Sequence, residues 1–168
     1  ESWGSSNDYL CFLGDWCTIY SRRHVWSNRQ HEVISYHWDD RDKLYKDFQY
    51  IQDLNRKIIN NLVVILNDIH GTRYSSRVWN ILIGYWLTQF TAVVFDRWSM
   101  IKNSEEQYGD NLETIIFNMQ SLKFAPNSSE ARDLFDDDNW NHFLCGKIIK
   151  NWTNIKVIEK DYTPKREN

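Results

Sequence analysis

Backbone breakers are scarce in this chain: among 168 residues there are 2 prolines and 6 glycines. That scarcity argues against a sandwich or barrel of many short strands and favours long helices. Cysteine is also scarce and odd in number, Cys11, Cys17 and Cys145, with no C-x-x-C pair. A disulfide framework is therefore disfavoured, and free thiols in a reducing compartment fit better. Positive charge is not in excess, with 20 basic against 23 acidic residues and a formal net charge of -3. A general nucleic-acid binder would carry a basic surplus, so no nucleic-acid partner is expected, although a local anion site is not excluded. No signal-peptide pattern is visible.

What is abundant is aromatic: Trp 9, Tyr 9 and Phe 8, or 15% of the chain. Most such rings build a core, and a minority can line a sugar or nucleotide site. With 42% hydrophobic and 26% charged residues the composition is that of a globular domain, long enough to bury a core without metal or disulfide. The chain opens on Glu1 rather than Met and stops at Asn168 soon after an apolar alternation. It reads as a single α/β domain over residues 1–168, a piece of a longer protein.

Apolar runs at Tyr9–Leu13, Val33–Tyr36, Thr114–Phe117 and Ile155–Ile158 read as strands. Leu44, Phe48, Ile51, Asn55, Ile58, Leu62, Ile65 and Ile69 alternate steps of four and three, a helical stripe broken only at Asn55. Asp39 or Asp40 suits its start, and His70-Gly71 its end. Ser75-Ser76 opens a second helix to about Ser104, uncharged from Val78 to Phe95. Eighteen uncharged residues raise the question of a membrane span, but Asn80, Thr88, Gln89 and Thr91 favour a buried helix in a soluble core, with Gly84 allowing close packing. Pro126 closes a loop, Ser128 or Ser129 caps a short helix to Phe135, and another helix runs from Asn139 to Trp152. The order β-β-α-α-β-α-α-β predicts an α/β fold around a mostly parallel sheet.

In such a sheet, ligands bind beyond the carboxyl ends of the strands. One polar corner is Gly14-Asp15-Trp16-Cys17, with Arg22, Arg23 and His24 behind it. Gly14 permits close approach, and the cations offer donors to a phosphate. The plainer reading is a tight turn and a solvated basic loop. A second corner is His37-Trp38-Asp39-Asp40-Arg41, where an imidazole and a carboxylate could perform general acid–base work. Helix capping explains the aspartates more simply. Two such side chains are too few for a metal site, and none is expected. Asp96-Arg97 and Asp136–His142 read first as structural, although the latter could hold sugar hydroxyls. No G-x-G-x-x-G or P-loop pattern occurs.

Phe12-Leu13-Gly14-Asp15-Trp16-Cys17, Tyr20-Ser21-Arg22, Tyr36–Tyr45, Ile69-His70-Gly71, Ile81–Leu87, Phe95-Asp96-Arg97-Trp98 and Asp138-Asn139-Trp140-Asn141-His142 occur in that order. Together they resemble a transferase family of bacterial O-antigen and surface-carbohydrate biosynthesis clusters, whose members are much longer. The chain departs from the family's usual pattern at Cys145, where an aromatic is common. The resemblance implies a Rossmann-like amino-terminal half of a GT-B-type glycosyltransferase, facing the acceptor and inactive without its carboxy-terminal domain. It implies a nucleotide sugar as donor, a carbohydrate or lipid-linked acceptor, no cofactor, and a cytoplasmic place with peripheral contact at the inner face of the membrane. His37 or Asp39 would be the base, and Gly14, Asp15, Arg22, His24 and Arg41 would bind substrate. The competing reading is a non-catalytic interaction or membrane-surface helical module.

Overall fold

A computed structural model describes residues 7–118, 125 and 127–161. The expected loop end at Pro126 lies outside them. The order is β1 (Leu10–Phe12), two 3-10 turns (Asp15–Cys17 and Tyr20–Arg22), α1 (Arg23–Trp26), β2 (His31–Val33), α2 (Arg41–His70) and α3 (Ser76–Tyr108). A 3-10 turn at Gly109–Asn111, β3 (Glu113–Asn118), α4 (Ser128–Leu134), α5 (Asp138–Trp152) and β4 (Lys156–Asp161) follow. The chain divides into two compact units: His37–Asp96, and the residues before and after it.

The expected Rossmann-like single sheet, and with it the likeness to a GT-B half, is not formed. Among the described residues there are instead two separate two-stranded sheets, β1–β2 and β3–β4, and helix dominates. Both pairs are parallel, as expected, with Leu10 opposite His31 and Glu113 opposite Lys156. The reason for the failure is one of length. Helices of 30 and 33 residues span about 45–50 Å, whereas strands of 3 and 6 residues span about 10 and 20 Å. Helices so long cannot serve as crossovers covering such strands, so α2 and α3 pack on each other.

Within His37–Asp96 the two helices form an antiparallel hairpin, since Asn67 meets Trp79, Asn55 meets Thr88 and His37 meets Asp96. Asp40 caps α2 by accepting from the amides of Asp42 and Lys43, and Gly71 ends it in the left-handed region at φ 62°. Asn67 ties the turn: its amide donates to the Tyr74 carbonyl, and its Oδ1 accepts from Thr72 Oγ1, Tyr74 N and Trp79 Nε1. Of the predicted stripe, Ile51 and Asn55 are buried, together with Ile59, while Phe48, Ile65 and Ile69 are exposed. α3 departs more sharply from expectation, because an 18-residue window of mean hydropathy 1.4 is only 22% buried. The expected core helix is thus a largely uncovered one. A Cβ at Gly84 would first meet the Asn80 side chain of the same helix, not a neighbouring element.

The other unit holds the core of Ile101, Ile116, Ile148 and Ile149, flanked by Leu13, Leu144 and Val157. β3, α5 and β4 form a βαβ unit in which Gly146 lets α5 close on Ile116, a Cβ there falling 3.1 Å from Ile116 Cγ2. Asn127, rather than Ser128 or Ser129, caps α4, and Asp137 caps α5.

Candidate functional site

The first polar corner follows β1. Gly14 is buried, and a Cβ on it would fall 2.3 Å from the Trp16 ring. The glycine therefore makes room for its own neighbour's indole. Trp16 remains 42% exposed, meets Tyr36 edge-on at 6.0 Å, and carries the Arg97 guanidinium at 5.1 Å from a ring centroid. Arg97 Nε donates to Asn141 Oδ1 at 3.0 Å, and Asn141 in turn donates to the carbonyls of Phe135 and Asp137. Arg22 lies 4.0 Å from Asp138, both well exposed. Burial pushes the Cys17 thiol up despite the nearby Arg97 charge, so it stays protonated. Burial also raises Cys11, to about 11. Asp15 and His24 are exposed.

The second corner opens the α2–α3 hairpin. The His37 side chain is 0% exposed, and its Nε2 lies 3.1 Å from Asp96 Oδ1. Its Nδ1 lies 3.1 Å from Lys43 Nζ, which also pairs with Asp47. Because an ammonium only donates, Nδ1 accepts and Nε2–H donates to Asp96. Burial holds the imidazole below its ordinary pKa, against the opposing pull of the Asp96 hydrogen bond, which agrees with a neutral ring. Trp38 closes over the cluster, donating to Asp47 at 3.0 Å and stacking on Phe95 at 6.3 Å. Asp39 and Arg41 are exposed beside it. Among the described residues, no group of three or more His, Cys, Asp or Glu side chains could hold a metal ion.

A family model described as LIC12162 family transferase matches residues 1–168. The chain belongs to that family. It is thus a member of a family of transferases. No curated protein matches it, and no solved structure does.

Set against the expected site, Gly14, Asp15 and Arg22 share the Trp16 corner, whereas His37, Asp39 and Arg41 share the hairpin corner. His24 is exposed on α1. Among the described residues no common sheet rim unites Arg22 with His37, and the two residues fall in different units. Sequence reasoning set Arg97, Asp138 and Asn141 aside as structural. Their signal lay in the ordered blocks on which the resemblance rested: Gly14-Asp15-Trp16, Asp96-Arg97-Trp98 and Asp138–His142 supply the ring, the cation and the amide of one cluster.

Proposed function

We propose that this transferase moves a sugar from a nucleotide sugar to a carbohydrate or lipid-linked acceptor in O-antigen and surface-polysaccharide synthesis, and that the Trp16 corner binds the carbohydrate. The observation that carries this is a 42% exposed indole that carries the Arg97 guanidinium at 5.1 Å, with Arg97 itself held by Asn141. Apolar sugar faces stack on such rings, and carboxylates and amides take up hydroxyls. Arg22 and His24 supply donors for a phosphate of donor or acceptor, since the exposed Arg22–Asp138 pair is weak enough to be exchanged. Asp39 is the favoured base, its carboxylate exposed, while His37 has both nitrogens engaged and acts as a positioning residue. In such a transfer an acceptor hydroxyl gives its proton to a base and attacks the sugar's anomeric carbon as the bond to phosphate breaks, and Asp39 is the hairpin unit's candidate for that base. Arg41, exposed beside Asp39, would offer a donor to a negatively charged ligand of the hairpin corner.

Titration calorimetry of the chain with nucleotide sugars and with acceptor oligosaccharides tests the reading. Trp16→Ala is expected to weaken binding at least tenfold. Absence of heat with every donor and acceptor would overturn the sugar-transferring role. The second reading, a non-catalytic interaction module, is favoured by the uncovered face of α3; a chain that binds vesicles but turns over no donor would move the balance towards it, whereas unchanged turnover in Asp39→Asn would remove Asp39 as the base.

A further inference from the structure

The most prominent feature that the proposed chemistry leaves unused is the outer face of α3. Ile81 is 73% exposed, Leu82 60% and Tyr85 73%, and their spacing sets them on one side of the helix. Ile69 and Tyr74, at the turn end of the hairpin, are exposed as well. A soluble protein rarely leaves so contiguous an apolar surface without an occupant. From Ile69 to Phe95 the only charged side chains are Arg73 and Arg77, both exposed and both at the turn. An apolar face ending in cations and tyrosine, with no carboxylate along it, complements one kind of surface in particular. We propose that the outer face of α3 lies on an anionic lipid bilayer, with Ile81, Leu82 and Tyr85 entering the interface and Arg73 and Arg77 meeting the headgroups.

The helix has the length and hydropathy to cross a membrane, but its partner does not. α2 presents Asp53, Arg56 and Lys57 to solvent along the same hairpin, and polar contacts between Asn55 and Thr88 and around Asn67 join the two helices. Taking α3 across hydrocarbon would drag those charges with it or strip those contacts. Lying on the surface exposes the apolar side to lipid and leaves α2 in water.

Flotation of the full chain with vesicles tests this. Binding is expected to phosphatidylglycerol-containing vesicles and at least tenfold less to pure phosphatidylcholine. Ile81→Asp with Leu82→Asp should abolish flotation while leaving the circular dichroism and Tm in place, because both side chains are exposed. Arg73→Glu with Arg77→Glu should erase the preference for anionic lipid. Alkaline carbonate should release the bound protein. Flotation that survives the Ile81/Leu82 double variant overturns the assignment of the face, and resistance to carbonate overturns the surface mode in favour of a span. A concentration-dependent dimer lost in that double variant, with no flotation, would assign the face to a second copy instead.

Discussion

Asp96 and Arg97 are consecutive on α3, yet they enter polar clusters of opposite character. Asp96, its side chain 8% exposed, meets a wholly enclosed imidazole. Arg97 meets a half-open indole and an amide. The enclosed cluster has its donors and acceptors matched within the protein, so its groups define one arrangement of the hairpin and offer little to a ligand. The open cluster holds a cation and an aromatic plane in place where solvent still reaches the ring. Polar residues that a single sequence lists side by side thus divide by burial into ones that hold the fold and ones that can bind.

Breaking the enclosed cluster should have the largest effect. Asp96→Ala leaves the buried Nε2–H of His37 without its acceptor and is expected to cost about 2–4 kcal/mol in denaturant unfolding. Arg97→Ala should cost under about 1 kcal/mol, the scale of a cation–aromatic contact, while removing carbohydrate binding. Equal losses in the two variants would erase the distinction. Acid sharpens it further. Burial lowers the pKa of His37 and of His142, whose Nε2 accepts from the Phe117 amide. A group depressed in the folded state takes up its proton more readily when unfolded. The stability it contributes is complete above the unfolded value near 6.5 and is lost as pH falls below it towards the folded value. Denaturant midpoints should therefore drop between pH 7.5 and 5.5, and the drop should shrink in His142→Gln. An identical drop in that variant would show that its titration is not coupled to folding.

Two asparagines of α2 extend the contrast at smaller scale. Asn67 satisfies four partners at the turn, so Asn67→Leu is expected to cost about 2 kcal/mol or more. Asn55, buried in the stripe, donates to Thr88 Oγ1 but leaves its Oδ1 without a partner. Thr88 keeps its bond to the Gly84 carbonyl regardless. Asn55→Leu should therefore be neutral or raise stability by up to about 1 kcal/mol, as thermal or chemical melts would read. A clear loss there would mean that the interruption in the stripe is required for helix pairing.

How far these differences could be read beforehand follows from their range along the chain. Asp40 and Gly71 were legible as cap or boundary residues because a cap depends on residues within one turn. Three of the four strands were legible at their apolar runs, and so was the parallel sense, whereas β2 runs His31–Val33 and meets the expected run Val33–Tyr36 only at Val33. Their union in one sheet was not, because that depends on whether the intervening helices are short enough to cross back over strands of three and six residues. Asn67 carried no signal in the sequence, since all four of its partner groups, on Thr72, Tyr74 and Trp79, lie beyond the glycine that ends the helix. For the candidate site, Gly14 and His37 stood out by residue type, but Gly14 serves the Trp16 ring and His37 is enclosed. Arg97 and Asn141, 44 positions apart, became a pair only through the fold.

The smallest effect on stability tests the comparison most directly. Arg22 and Asp138 are 4.0 Å apart with side chains 56% and 73% exposed, so their attraction is screened and each keeps much of its side-chain freedom. Arg22→Ala should change stability by less than about 0.5 kcal/mol. If the Trp16 corner receives a phosphate-bearing sugar, the same change should weaken that ligand about tenfold while leaving affinity for the uncharged sugar intact, since only the phosphate needs the guanidinium. Calorimetry with the two ligands separates the cases. A shift for both ligands would mean that Arg22 shapes the corner rather than reading charge, and a shift for neither would leave Arg97 as the cation that does.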